Sequence, residues 1–470
     1  MSAAHGPGAE GFQTERSDVP PPEVERPEVQ PPEPWAFPEP SRHRLANGVE
    51  LLAYDVPGQY VVSVRTVLPV PLSVEPREVE GVATIMSRLL DEGTDQHTAE
   101  EFAELLERKG IALGASVSDG GLAVDLDVPK ARLEEALDLL RQVLAEPVFR
   151  QQEVDRHLRT RLAEIEQERA VGAHRAAWEL IATLFDDGDR ASRPTGGTST
   201  SVAAITREHL VDFHRRHVGP RGMTVVVAGD LQGLDTLGAV ERTVGTWRND
   251  AQVDEPAPRA ATPAADAARV VVVDRPGAVQ SDLVVGCPGP DRRAEGGWPA
   301  YPVLSFVVGG SPNARIDAVL REEKGYSYGI RSGFRPRRVG GLFLTSGSVR
   351  ADSTVDAVRL LLEILDGARE GFTDQEVRAG VDFLGKTAPG RFATADTLAD
   401  EAAMLALDGL GTQFTTDMLT AMRDLTPQDL QTAYRRWVDG RWTVVVVGDA
   451  ASCADGLREL DIGEVTVVPA

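Results

Sequence analysis

The sequence of 470 residues predicts an α+β protein made of two tandem homologous halves, each a largely antiparallel sheet packed with helices. Internal similarity is the first observation. "TREHLVDFHRRHV" (206–218) resembles "TPQDLQTAYRRWV" (426–438) at an offset of 220. "TVVVAGD" (224–230) resembles "TVVVVGD" (443–449), and "DVPG" (55–58) resembles "DRPG" (274–277), both at an offset of 219. Three matches in one order at nearly one spacing indicate a duplicated domain, since solenoid repeats recur every ~20–50 residues. The second observation is that both halves open on β-rich stretches, "ELLAYDVPGQYVVSVRTVL" and "RVVVVDRPGAVQSDLVVGC", and pass into helical blocks. The third is the Ala/Pro-rich stretch 251–269, which reads as a linker between a first half at 42–250 and a second at 270–470.

The elements follow in order. Residues 1–41, dominated by Pro and Glu, cannot bury a core and read as a disordered tail. "TAEEFAELLERKGI" spaces its apolar residues as a helix does, with Thr98 as N-cap and Gly110 as terminator. "ALGASVSDGGLAVDLDV" alternates as a hairpin does, and helices are expected around 130–146 and 151–185. A last helix leads into "MTVVVAGD". In the second half, "SPNARIDAVLREEKG" predicts a helix with Ser311 as N-cap, Pro312 at the first position and Gly325 just past the end. "YSYGIRSGF" then alternates as a strand.

Composition narrows the function classes. A net charge of −24 opposes a nucleic-acid partner or an anionic membrane surface, both of which need basic patches. Cys287 and Cys453 are too few for a disulfide framework or a thiolate metal site. The first residues lack a basic segment followed by an apolar one, and no run reaches the ~18 apolar residues of a membrane span. The expectation is a soluble, cytoplasmic protein.

The segment "GYSYG" (325–329) matches G-x-S-x-G, the nucleophile elbow. An elbow has a strand before its serine and a helix after it, whereas here the order is reversed. No histidine follows Ser327 to act as its base, so the match is a coincidence. His209, His214 and His217 share a helix, and the i, i+3 pair could face a metal. The duplicate helix places Tyr434 and Trp437 at the last two positions, which favours an ordinary packing role. Gly309 and Gly310 precede a helix start where an anion or peptide carbonyl could approach, but Gly pairs more often make turns. The sequence holds no C-x-x-C pair, P-loop, dinucleotide fingerprint or calcium loop.

The duplicated halves, "LANGVELLAYDVPG" and "FHRRHVGPRGMTVVVAGDL" together resemble the insulinase/pitrilysin-like (inverzincin) metallopeptidases, in particular the short bacterial two-domain type. The similarity runs from residue 42 onward. It implies two α+β domains enclosing a central cavity. The family's H-x-x-E-H motif falls on "GVATIMSRLLDEGT" (81–94), where Thr84 and Arg88 stand at the ligand positions and Ser87 at the base position. A helix face brings i, i+3 and i+4 together, so two imidazoles can hold zinc while the carboxylate activates its water. Threonine is a poor ligand, arginine cannot be deprotonated and serine offers no base near neutral pH. The resemblance places the third ligand at Glu164. With the motif degenerate, Glu164 reads equally as a solvated helix carboxylate; if the fold is kept, Arg88 would take the vacant metal position and pair with it. No metal or other cofactor is expected in this chain.

The family's second-half pattern, an Arg followed seven residues later by a Tyr, is kept as Arg321 and Tyr328 in "LREEKGYSY". Both donate hydrogen bonds, which suits peptide carbonyls and a developing oxyanion. The resemblance therefore implies a non-catalytic, substrate-binding subunit of a heterodimeric zinc peptidase. Its partners would be a peptide and a homologous subunit that carries the zinc, and it would be inactive alone. The alternative is a structural or assembly protein that keeps the fold without proteolysis.

Overall fold

The computed structural model describes residues 30, 31 and 33–470. It contains two mixed six-stranded sheets and many helices, an α+β architecture. The first sheet has strands β1 (Ser41–Arg44), β2 (Glu50–Asp55), β3 (Val61–Leu68), β4 (Ala112–Ser118), β5 (Gly121–Pro129) and β6 (Thr224–Gly229), in spatial order β1-β2-β6-β3-β5-β4. The second has β7 (Val270–Asp274), β8 (Gln280–Gly289), β9 (Ile330–Pro336), β10 (Gly341–Arg350), β11 (Thr443–Gly448) and β12 (Val465–Pro469), in order β12-β7-β11-β8-β10-β9.

Five strands of one sheet match five of the other in order and connection. The internal repeat visible in the sequence is thus a structural repeat. Strand β2 runs parallel to β6 as β7 does to β11, and both pairs continue into an antiparallel run ending at β4 or β9. The sixth strand differs. The first sheet is closed by the preceding β1, antiparallel to β2, and the second by the chain end β12, parallel to β7. The central strands β6 and β11 are buried throughout, which explains their unbroken valine runs.

One large apolar cluster lies against the helices of each half. Three further clusters join the halves, the smallest of them Leu184 and Phe185 against Leu342. Helix Ala395–Leu407 of the second half packs on the other face of the first sheet, where Leu398, Ala399 and Ala402 meet Leu52, Val67 and Val226. Reciprocally, helix Gly172–Leu184 of the first half packs Ala176 and Leu180 against Val271, Val284 and Val445 of the second sheet. Ion pairing supplements this exchange, since Arg65 meets Asp400 at 2.6 Å and Arg337 meets Asp119 at 3.0 Å.

Several expectations are corrected. The helix anticipated over 151–185 is two helices, Gln151–Ala170 and Gly172–Leu184. Val171, at φ −89° and ψ 116°, leaves helical geometry and turns the second segment onto the opposite sheet. The second-half helix does not start at Ser311. That residue ends a π-helical stretch, Phe306–Gly310, and its carbonyl accepts from the Ala314 N–H to form a turn. Helix begins at Arg315, with Ala314 as N-cap, and continues π-helically through Ala318–Glu323. The strand expected over "YSYGIRSGF" begins only at Ile330, leaving Tyr328 in the preceding loop. The reading of residues 1–41 as a disordered tail fails for its last part. Trp35 stacks on Phe392, Phe37 is buried, and Ser41 already belongs to β1. The remainder of that reading, residues 1–29 and 32, lies outside the described residues.

The linker stretch is held in place. Thr262 receives a bond from the Asp186 N–H and donates its own N–H to Asp189, while Ala264 donates to Leu184. The Thr98 capping box and the left-handed Gly110 at φ 66° bound their helix as expected.

Candidate functional site

The degenerate-motif segment forms a short helix, Val82–Arg88. Its entry is set by Gly81, whose φ of 98° and approach to the Gly196 carbonyl leave no room for a Cβ. Buried Glu75 accepts from the Gly81 and Ala83 N–H groups at 3.1 and 3.0 Å, and so caps the helix N-terminus. Arg190 donates to the other Glu75 oxygen at 2.9 Å. Burial nonetheless pushes the Glu75 carboxyl above the ordinary range, against the pull of Arg190.

At the ligand positions, Thr84 donates to the Thr195 carbonyl at 3.3 Å, and Arg88 reaches both oxygens of Glu164 at 2.9 and 2.8 Å. Ser87 is buried and donates back to the Thr84 carbonyl at 2.9 Å. Arg161, itself buried, meets Glu164 at 3.2 Å and Glu168 at 2.6 Å, and donates to the Gly196 carbonyl. Burial raises the Glu164 carboxyl, but the bonds from Arg88 and Arg161 together bring it below the ordinary range. The Arg88–Glu164 pairing inferred from the sequence is thus formed. Two guanidiniums occupy the carboxylate that a third zinc ligand would need, and among the described residues no His, Cys, Asp or Glu group completes a site there, so this donor set does not fit zinc. Among the described residues there is no group of three or more His, Cys, Asp or Glu able to hold a metal.

The three clustered histidines also have separate local roles. His209 accepts from the Thr206 N–H, His214 bonds the Leu144 carbonyl at 2.9 Å, and His217 meets Glu255 at 2.9 Å. Both cysteines are buried, and burial pushes their thiols up to about 12 for Cys287 and about 11 for Cys453. Thiolate chemistry is therefore remote from neutral pH.

In the second half, Arg321 and Tyr328 border one open recess of about 920 Å³, lined by residues of 280–350. Arg321 stands on the last helical turn, with Gly325 at φ 64° reversing the chain behind it. Gly325 and Tyr326 donate to the Arg321 and Leu320 carbonyls, which closes the helix end. Tyr328 is 97% exposed, so its ring and hydroxyl face solvent. Arg321 is partly exposed and makes only a 3.3 Å contact with neighbouring Glu322 and a 4.0 Å contact with Asp317. Ser327 accepts from the Gly329 N–H at 3.0 Å, a local turn bond rather than a nucleophile's environment.

The sequence reading missed Asp317. Its buried carboxylate accepts from the Ile330 N–H at 3.0 Å and from Arg331 at 2.7 Å, so it ties the helix to the start of β9. This tie fixes the loop that holds Tyr328. Its signal in the sequence was a carboxylate one helical turn before Arg321. Tyr326 braces the other side, donating to Asp356 at 2.8 Å.

The sequence profile described as "Insulinase (Peptidase family M16)" matches residues 62–193, and that of the "Peptidase M16 inactive domain" matches 204–384. The chain belongs to the insulinase family. Among curated relatives of this insulinase-family chain, an uncharacterized zinc protease of Streptomyces coelicolor is 26% identical over 388 residues, covering 79% of this chain and 81% of the relative. The non-peptidase homolog YmxG of Helicobacter pylori is 24% identical over 354 residues, covering 74% and 80%. Among solved structures, the peptidase M16 inactive domain from Pseudomonas fluorescens superposes with a TM-score of 0.79 at 20% identity, over 87% of this chain and 98% of that one. A chain of complex III from Candida albicans has the same fold, with a TM-score of 0.72 at 14% identity, over 90% and 99%. No helix among the described residues is long and apolar enough to cross a membrane.

Proposed function

We propose that this insulinase-family chain is the non-catalytic, substrate-binding subunit of a two-subunit zinc peptidase, in which Arg321 and Tyr328 hold peptide at the zinc of a homologous partner. The observation that carries this reading is a contrast between the halves. The first-half site is filled by the Arg88–Glu164–Arg161 ion pairs, whereas Arg321 and Tyr328 stand at an open recess. A guanidinium and a phenol at the rim of one recess can both donate to a peptide carbonyl or to an oxyanion forming on it. The buried Asp317 tie keeps both donors in place, which lowers the cost of ordering them around a substrate. The residues lining the recess include no histidine or cysteine, so on this reading the bond-breaking chemistry comes from the partner.

The test is reconstitution with a homologous subunit bearing an intact H-x-x-E-H motif. This chain alone should cleave no peptide, and the mixture should. Arg321→Ala and Tyr328→Phe should each lower turnover by about tenfold or more, the scale of a lost transition-state donor. Cleavage by the isolated chain in excess chelator, or unchanged kinetics in both variants, would overturn the proposal. The second outcome would favour a purely structural or assembly role.

A further inference from the structure

A second concavity shares no lining residue with the Arg321 recess. It has a volume of about 580 Å³ and is bounded by β9, helix Asp374–Arg391 and helix Gln413–Met422. Its floor is apolar and soft. Phe306 stacks on Phe383 at 4.7 Å, and Phe392, Met404 and Met418 complete the surface. Phe383 and Met404 belong to the few large apolar side chains that the described residues leave exposed, at 51% and 36%. Apolar surface left open in a concavity marks a binding site more often than a defect of packing.

The rim is basic in an otherwise acidic protein. Arg292 is neutralised by Asp408 and Arg331 by Asp317. Arg335 and Arg391 border the same concavity and meet no carboxylate among the described residues; Arg391 lies only over the Phe392 ring, at 5.2 Å. The one carboxylate of the lining, Glu401, is held by the Thr415 hydroxyl at 2.7 Å. An occupant with apolar anchors and flanking carboxylates is complementary to this surface.

The chain carries such a segment, and the described residues that follow it lie beside the concavity. Trp35 stacks on Phe392, a wall of the concavity, at 5.5 Å with the rings 11° apart, and the Glu33 carbonyl accepts from Arg423 at 3.1 Å. Glu33 and Trp35 also border a small crevice that shares Leu419 and Met422 with the larger one. The residues preceding them, "EGFQTERSDVPPPEVERPEV" (10–29), contain six carboxylates and two arginines, with Phe12, Val19, Val24 and Val29 between. Prolines limit the conformations such a segment must give up on binding, and tethering beside the site raises its effective concentration to about the millimolar range. We propose that the concavity bounded by β9 and these two helices binds the acidic, proline-rich segment 10–29 of the same chain, with its carboxylates on Arg335 and Arg391 and an apolar side chain on the Phe383/Met404 floor.

The experiment uses the full-length chain with a nitroxide label on Thr14→Cys, which is selective because the two native thiols are buried with raised pKa. Electron paramagnetic resonance should show an immobilised component, and Glu-specific proteolysis within 10–29 should be slow. The double variant Arg335→Glu/Arg391→Glu should mobilise the label and speed cleavage about fivefold or more, the scale set by exposed ion pairs. The tail variant Glu23→Lys/Glu25→Lys/Glu28→Lys leaves the concavity untouched and should likewise mobilise the label, which is its readout because the change removes three of the segment's cleavage sites. Combining both sets should restore immobilisation by charge exchange. A label equally mobile in the parent and all variants, or an immobilised one indifferent to every charge change, overturns the proposal. Loss of the immobilised component on diluting the labelled chain would also overturn it, since that assigns the site to a second copy.

Discussion

The most exacting test of the degenerate-motif region is Arg190→Ala. Arg190 and Glu75 form a buried pair, with side chains 7% and 0% exposed. Arg190 also donates to the carbonyls of Arg193, Pro194 and Thr195 at 2.9, 3.1 and 3.0 Å. Truncation leaves a buried carboxylate with two backbone donors and strips a partner from three carbonyls. Breaking a buried pair from one side costs about 3–5 kcal/mol. If the first half unfolds as a unit of about 200 residues, each kcal/mol lowers Tm by about 2–4 °C, so the expected fall is about 6–20 °C. The pH dependence has a definite sign. Burial already raises Glu75 above its ordinary 4.5, so the folded state takes up the proton more readily than the unfolded chain. Its stabilising share is present below the ordinary carboxylate range and is lost as pH rises through the folded value. Removing the cation raises that value further, so the deficit of the variant should grow from about pH 4.5 to about pH 7.5. Calorimetry of both proteins at the two pH values checks this. A deficit below about 1 kcal/mol, or one independent of pH, refutes the reasoning.

Three further outcomes are expected. Arg88→Ala should cost about 1 kcal/mol or less by urea titration, because Arg88 and Glu164 are 32% and 34% exposed and Arg161 still serves the carboxylate. The triple change Thr84→His/Ser87→Glu/Arg88→His frees Glu164 from one guanidinium and sets two imidazoles on the same helix face. It should bind about one zinc per chain by elemental analysis, and the parent should bind none; an intact fold without zinc would show that Glu164 is misplaced for ligation. Burial lowers His214 from 6.5 to about 4, so the unfolded chain takes up a proton that the folded one excludes, and stability falls as pH drops from 6.5 toward 4. His214→Gln should flatten that acid limb, and a urea midpoint at about pH 5 that stays as pH-sensitive as the parent's would count against it.

Much of the fold was legible because it rests on local patterns and a repeat. The valine runs of β6 and β11, the Thr98 box and the Gly325 turn all declare themselves within a few residues. What was hidden depends on distant partners. β1 is Ser-Arg-His-Arg, fully exposed and without alternation, and only pairing with β2 makes it a strand. Helix Ala395–Leu407 is alanine-rich and weakly patterned because its contact is the first sheet rather than its own half. Val171 fits a helix by composition, and it breaks one because the next segment is needed elsewhere. At the site, Arg88 and Glu164 were singled out only through the family resemblance, and their pairing was a hypothesis. Asp317 showed its place one turn before Arg321 but not its burial, which depends on the distant start of β9.

The exchange of helices between the halves also constrains how the protein comes into being on the ribosome. The first sheet is complete once Gly229 has been made, yet the helix that shields its outer face ends at Leu407. About 180 residues separate the two, which at ~5–20 residues per second leaves Leu52, Val67 and Val226 without their cover for roughly 10–40 s. The nascent first half spends that interval with an apolar sheet face uncovered by its helix. A chain stopped at the linker would keep that face bare permanently. The two halves repeat one design, but neither is finished until the other has been translated.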